Sequence, residues 1–377
     1  MNYMETEEEK IKMKEYEIPK YMKACVLTKP GEFEIKDDVP VPIPGTGEVL
    51  VKIGGVAICG SDPGVFDGHL AGDWPPEYPF IAGHEWAGRI VALGDGVSDF
   101  SVGQRVAGEA HKGCGHCRMC KEGRYTLCLN YGKPETGHRH YGFKTFGAYA
   151  QYCVFHQNSI TEIPDGILYK EAAMCDTGGV SLHGVELAGI IPGSTVAIIG
   201  PGPIGMMTMK LSRAMGAARI IVVGRGARLE AAKRMGADDI VNFMTEDPVK
   251  VIRELTDDYG VDTVFECSGA ETTVKEACLI ARKGGTIVLL GVPFDEMDEA
   301  IPFKYVAHNE ITIKGSRANP NVSWKLLNMI KKRNILVEEL VSHTFALDEM
   351  EKALDVYVNR KENVMKVVIY PNEGENV

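Results

Sequence analysis

The chain has 377 residues, 45% hydrophobic and 25% charged, a globular balance that excludes disordered, collagen-like and low-complexity architectures. At roughly 150 residues per domain, this length predicts two domains. The 52 acids against 41 Lys and Arg leave a net charge of −11, which argues against a nucleic-acid partner, and no run nears the ~18 apolar residues that a membrane span needs.

Residues 1–21 mix Glu5, Glu7, Glu8 and Glu9 with Lys10, Lys12 and Lys14, and read as a charged, partly helical extension rather than an export or transit signal. The expected compartment is therefore the cytoplasm, where thiols stay reduced. The ten cysteines then point to metal ligation or catalysis before disulfides.

From Lys23 to about Ile160 the short apolar runs Ala24–Leu27, Val49–Ile53 and Arg89–Leu93 are separated by turns such as Pro42-Ile43-Pro44-Gly45, which predicts a β-rich domain. From about Thr177 to Lys314 the runs Thr195–Ile199, Ile220–Val223, Thr263–Phe265 and Thr286–Leu290 alternate with helical periods at Ile204–Met215 and Leu229–Met235. Strand alternating with helix predicts a doubly wound parallel sheet, so the fold class is α/β. Helices at Ser323–Lys332 and Leu347–Asn359 and a strand at Val364–Tyr370 close the chain.

Within the β-rich part, Cys114, Cys117, Cys120 and Cys128 are separated by three, three and eight residues, with Gly113, Gly115 and Gly123 to let the backbone wrap a centre. Four thiolates on a short loop suit tetrahedral zinc with no open position, hence a structural site. An iron–sulfur cluster is the competing occupant, but the loop lacks the Pro and spacing of the bacterial ferredoxin run.

Gly200-Pro201-Gly202-Pro203-Ile204-Gly205 follows a predicted strand and precedes a predicted helix. In that context the first glycine makes the tight turn, the second admits a pyrophosphate and the third allows close helix packing. Phosphates would then sit at the helix N-terminus, where free amides and the helix dipole favour anions. Ser268 and Gly291, after later strands, complete the expected cofactor set. No acid precedes Glu230 at the end of the second strand, where an NAD site normally places one. Gly224, Arg225 and Arg228 there favour the 2′-phosphate of NADP, although solvated surface arginines are the plainer alternative. Beside such a domain, Cys59-Gly60-Ser61-Asp62 and Gly83-His84-Glu85 match a catalytic zinc with mixed sulfur and nitrogen ligands.

These motifs, from Met22 to Tyr370, resemble the zinc-containing medium-chain alcohol dehydrogenase superfamily. The segment Gly315–Ile330 also looks like the place where such chains return to their first domain. The resemblance implies a GroES-like catalytic domain over 22–176 and 318–377, split around a Rossmann domain over 177–317, with two zinc ions per chain and NAD(P). It also implies Asp176 as the third catalytic-zinc ligand, with Cys175 as its competitor, because the segment from Ala173 to His183 resembles that of secondary alcohol dehydrogenases. Two departures stand out. Those enzymes generally lack the four-cysteine lobe, and the stretch Pro63–Phe66 carries no relay histidine, for which His69 is a weak substitute.

The expected reaction is reversible oxidation of a secondary alcohol or polyol. Cys59, His84 and Asp176 hold zinc, Ser61 passes the proton onward, and Glu85 tunes the metal or exchanges onto it. Asp62, Phe66, Trp74, Trp86 and His111 are cleft candidates by position, and His138-Arg139-His140 on an expected loop is a candidate for binding a polar or anionic substrate. A zinc-free enoyl or quinone reductase and a nucleotide-binding zinc or redox sensor are the alternatives. Family likeness suggests a homodimer or homotetramer.

Overall fold

The computed structural model describes residues 17–70, 74–293 and 301–372, so the expected N-terminal extension lies outside the described residues except for 17–21. The chain divides into two units: Met1–Cys175 with His343–Asn359 and Val367–Val377, and Asp176–Ser342 with Arg360–Lys366.

In the first unit, Glu48–Ala57 is buried along nearly its whole length, which is why its sequence is a near-continuous apolar run rather than an alternating one. It pairs antiparallel with Glu85–Leu93 and Tyr152–His156, and Val368 of Lys366–Tyr370 lies opposite Ala57. Glu85–Leu93 in turn pairs with Arg105–Gly108, and that strand with Ile160–Glu162. Tyr21–Lys29 forms a hairpin with Glu32–Pro40. The apolar runs read from the sequence are thus the centres of longer strands, extended by residues such as Glu48 and Glu85 that apolar counting passes over.

The second unit holds a six-stranded sheet whose spatial order is Asp239–Asn242, Arg219–Gly224, Thr195–Ile199, Val261–Glu266, Ala281–Leu289, Thr312–Gly315. Every pairing is parallel. Numbered in chain order this is 3-2-1-4-5-6, the doubly wound arrangement in which ligands bind outside the carboxyl ends of the strands. β-Branched runs such as Thr195–Ile199 are buried because helices cover the sheet. The helices start where local chemistry allows: Pro203 occupies the first turn of Pro203–Ala214, and Asp247 Oδ1 caps Pro248–Leu255 by accepting from Val249 N at 2.9 Å.

Residues 318–342 group with this second unit, whereas the sequence reading placed everything from 318 onward with the first domain. The Ser323–Lys331 helix buries Leu326, Leu327 and Ile330, and Leu326 packs so tightly that a Cβ on Gly178 would lie 2.6 Å from its Cδ2. Burial of that apolar face, not the sequence landmark at Gly315, sets where the segment belongs.

Candidate functional site

Two metal-ligand clusters occur among the described residues, both in the first unit. In one, Cys114, Cys117, Cys120 and Cys128 present four sulfurs within 4.8 Å of one another. Cys114 Sγ lies 4.0 Å from Cys120 Sγ, and Cys117 Sγ lies 3.9 Å from Cys128 Sγ. Tetrahedral zinc with bonds of about 2.3 Å needs sulfurs about 3.8 Å apart, so the lobe fits the ion almost as it stands. Gly113 is required there, since a Cβ would come 2.5 Å from Cys120 Sγ. Asn130, which sequence reading missed, donates its side-chain amide to Cys114 Sγ at 3.3 Å, and Cys117 N donates to the same sulfur at 3.4 Å. Burial raises the Cys114 thiol, but these and other hydrogen bonds prevail and bring it down to about 6, so a thiolate is held ready.

In the second cluster, Cys59, His84 and Glu85 each place a ligand atom within 4.8 Å of the others. Cys59 follows the buried strand Glu48–Ala57 and His84 precedes the strand Glu85–Leu93, so the pairing of these strands converts a separation of 25 residues into contact. Behind them sits Asp62, fully buried. Its Oδ2 accepts from Cys59 N at 2.7 Å and from the Tyr149 hydroxyl at 2.6 Å, while its Oδ1 lies 3.6 Å from His84 Nδ1. Burial pushes the Asp62 carboxyl up, opposed by the charge of His84 and by these hydrogen bonds. Tyr149 is held protonated by burial and by the Asp62 charge. The arrangement sets His84 Nδ1 toward a carboxylate, which leaves Nε2 as the nitrogen for a metal. Sulfur, nitrogen and carboxylate donors with an orienting acid are the chemistry of catalytic zinc. Asp62 was only a positional candidate from sequence, and Tyr149, 87 residues away, carried no signal.

The remaining candidates divide clearly. Ser61 starts the Asp62–Asp67 helix without capping it, and its buried Oγ has no hydrogen-bond partner among the described residues. Asp176 opens the second unit, 7% exposed, and its Oδ1 accepts from Asn319 at 3.1 Å; Cys175 is fully buried in the first unit. Trp86 stacks on Phe155 at 3.7 Å and Phe66 meets Phe33 and Tyr149 edge-on, so both are core. His69 is exposed.

The expected loop His138-Arg139-His140 instead carries a short strand at Arg139–His140 pairing with His111–Lys112, and His111, His138 and His140 are all buried. Aromatic packing overrides their polarity: His140 stacks on Phe143 at 4.2 Å, Phe143 lies 4.5 Å from His84, and the Tyr131 hydroxyl meets His140 Nδ1 at 2.5 Å. Trp74 packs against His140 and Phe143. Arg139 bonds Pro134 O and lies 4.0 Å from Glu48, which occupies its guanidinium within the fold.

In the second unit, Gly200, Ser268 and Gly291 meet at the carboxyl ends of the sheet strands. A Cβ on Gly200 would lie 2.9 Å from Ser268 Cβ, and one on Gly291 would lie 2.5 Å from Glu266 Oε2. Glu266 organises this edge, its Oε1 accepting from Ser268 N at 2.8 Å and from Thr273 Oγ1 at 3.1 Å. A Cβ on Gly205 would strike Gly200 O, whereas one on Gly202 would meet nothing within 4 Å, so Gly202 faces open space at the start of the helix where a pyrophosphate would sit. Pro203 and Ile204 form that helix's first turn. Gly224 is glycine for packing, since a Cβ would come 2.5 Å from Pro201 Cδ. Arg225 lies over the Phe243 ring, and Arg228 Nε donates to Val364 O at 3.2 Å.

Known proteins match along nearly the whole chain. The family described as alcohol dehydrogenase GroES-like domain matches residues 45–165, and that described as zinc-binding dehydrogenase matches 203–332. Sorbitol dehydrogenase of Bacillus subtilis is 37% identical over 94% of this chain and 99% of its own. D-arabitol-phosphate dehydrogenase of Enterococcus avium is 32% identical over 94% and 99%. The crystal structure of a zinc-binding dehydrogenase from Sinorhizobium meliloti bound to NADP has a TM-score of 0.84 at 32% identity, covering 94% of this chain and all of that one.

Proposed function

The chain belongs to the zinc-containing medium-chain alcohol dehydrogenase superfamily, and from that premise we propose that it transfers hydride reversibly between a secondary alcohol or polyol and NAD(P). The carrying observation is the gathering of Cys59, His84 and Glu85 with Asp62 behind the histidine. Relatives named sorbitol and D-arabitol-phosphate dehydrogenase support a polyol as the substrate class.

When bound, zinc supplies the Lewis acidity that makes a hydroxyl acidic, and the nicotinamide supplies the hydride acceptor. Cys59, His84 and Glu85 would hold the ion, while Cys114, Cys117, Cys120 and Cys128 would hold a second, structural one. Asp62 faces His84 Nδ1 at 3.6 Å, and its own position is fixed by Tyr149 and Cys59 N. Ser61 Oγ, buried and without a partner among the described residues, receives the hydroxyl proton and passes it toward the coenzyme and solvent. The glycine loop and the Pro203–Ala214 helix would hold the pyrophosphate, with Ser268 and Gly291 as further coenzyme contacts at the carboxyl ends of the strands. Asp176 stands as a further proposed zinc ligand, tested separately by the zinc content of Asp176→Asn. Arg225 and Arg228 favour NADP, which the NADP-bound relative also supports.

No helix among the described residues is long and apolar enough to cross a membrane. A cytoplasmic homodimer or homotetramer without nucleic-acid or membrane partners completes the proposal, the charge of −11 speaking against nucleic acid.

The test is initial-rate reduction of NAD and NADP over polyols, secondary alcohols, amino alcohols and hydroxy acids, with and without a strong chelator. Chelator-sensitive turnover that Cys59→Ala abolishes is the expected result. Turnover indifferent to chelator and to Cys59→Ala would refute the assignment, and a zinc-loaded protein without any turnover would favour the sensor reading.

A further inference from the structure

The segment after the last strand of the parallel sheet carries a polar side chain with no exposed surface, Asn319. Its neighbours hold an uncommon backbone: φ is 54° at Ala318 and 60° at Asn321, the left-handed region that non-glycine residues avoid. Pro320, next in the chain, disfavours helical backbone at Asn319 as well. Strain of this kind persists where the surrounding structure over-determines a position. Here it delivers the Asn319 amide to the Cys175–Ala188 helix, where Nδ2 donates to Asp176 Oδ1 at 3.1 Å. Gly179 lies on the same helix face, three residues on, and makes the room: a Cβ there would come 2.8 Å from Asn319 Cβ. Asp176, Gly179 and Asn319 all belong to the second unit.

The other half of the amide shows that packing is not its purpose. Asn319 Oδ1 is buried and has no hydrogen-bond partner among the described residues. A carbonyl left unmet in a core costs stability, so an apolar side chain of the same size would serve packing better. Turning the amide over would set its oxygen against the Asp176 carboxylate, so the nitrogen is the group that faces it. Asp176 is only 7% exposed, and protein contacts rather than water therefore set the direction of its carboxylate. A carboxylate held by a donor at one oxygen presents the other in a fixed direction. Ligating carboxylates are oriented in this way by their hydrogen-bond partners.

We propose that Asn319 is a positioning residue for the catalytic zinc: by holding Asp176 Oδ1 it directs Oδ2 as the oxygen offered to the metal. The inference rests on the reading of Asp176 as a zinc ligand given above. It deepens that reading by assigning the aim of the ligand to a strained segment 143 residues further along the chain. The strain at Ala318 and Asn321 and the unmet carbonyl of Asn319 are then costs of placing one amide N–H, which a hydrogen bond to a charged group offsets.

The experiment measures zinc affinity of the full-length protein by competition against a chromophoric chelator, together with thermal unfolding. Wild type, Asn319→Leu, Asn319→Ala, Asp176→Asn and the double variant Asp176→Asn/Asn319→Leu are compared. Asn319→Leu keeps the volume and removes the donor and the unmet carbonyl together, so their effects on stability oppose each other. Its melting temperature should stay near that of wild type while one of the two zinc sites weakens about tenfold. Asn319→Ala should weaken the same site and also lower the melting temperature, because it leaves a cavity. In the Asp176→Asn background, Asn319→Leu should change zinc affinity less than about twofold, since Asn319 acts only through the carboxylate. Wild-type zinc affinity in Asp176→Asn removes Asp176 as a ligand, and this inference with it. Weakened zinc in Asp176→Asn beside wild-type affinity in both single Asn319 variants overturns this inference alone. So does a full tenfold effect of Asn319→Leu in the double variant. No substrate enters the assay, so its result stands apart from whether any alcohol is turned over.

Discussion

Replacing Asp62 by Asn keeps the shape of the side chain and removes its ability to accept at both oxygens. In the native fold Oδ2 takes two donors, Cys59 N at 2.7 Å and the Tyr149 hydroxyl at 2.6 Å, so in Asp62→Asn the amide oxygen must occupy that place. The amide NH₂ then faces His84 Nδ1, which lies 3.6 Å from the native Oδ1. A donor facing Nδ1 draws the ring toward the tautomer with its proton on Nε2, which cannot ligate a metal. Partners of this kind are worth about 10–100-fold in metal affinity, or about 1.4–2.7 kcal/mol. Asp62→Ala acts differently: it leaves two buried donors without an acceptor, at about 1–3 kcal/mol each, so about 2–6 kcal/mol of stability is lost. The assay is zinc competition against a chromophoric chelator, paired with thermal unfolding. Asp62→Asn should weaken one of the two zinc sites with a small change in melting temperature, and Asp62→Ala should lower both. Wild-type zinc affinity in Asp62→Asn would refute the reasoning that the carboxylate selects the His84 tautomer.

Three further predictions follow from the same contacts. Cys120→Ser breaks the four-sulfur set, so zinc content should fall from two to one per chain by elemental analysis. Melting should drop on the order of 4–8 °C, corresponding to about 2 kcal/mol. Gly205→Ala puts a methyl against Gly200 O, and fluorescence titration should show coenzyme affinity reduced at least about tenfold with zinc retained. His156, half-buried and near Lys112, is brought down to about 4, chiefly by burial, and its Nδ1 accepts from Asn158 N at 3.1 Å. A depressed histidine binds fewer protons folded than unfolded, so its contribution is complete above about pH 6.5 and is lost as pH falls toward 4. Discounted for its partial exposure, this amounts to about 1–2 kcal/mol, and denaturant unfolding of His156→Gln should show a flatter stability profile across that window.

Local pattern made much of this protein legible. β-Branched runs alternating with helical periods identified the parallel sheet, because strand and helix each bury a face of fixed period. The glycine loop and the cysteine lobe were readable for a related reason: each is built from residues close together in the chain, so the spacing carries the geometry. That Cys59 and His84 could serve one centre was legible as well, and the fold does bring them together with Glu85.

Tertiary structure decided what depends on residues far apart in the chain. The motif holds Asp62 beside Cys59 N, but only long-range packing sets it between Tyr149, 87 residues away, and His84. Stacking on Phe143 buries His140, although its run of polar neighbours reads as a solvated loop. Packing of Leu326 near Gly178 keeps 318–342 with the second unit. Arg360 and Arg225 border one cavity only because the chain returns there after more than a hundred residues. Periodicity and spacing record which face of an element is buried, whereas the partner it is buried against is chosen by the summed packing of distant segments, which no local pattern encodes.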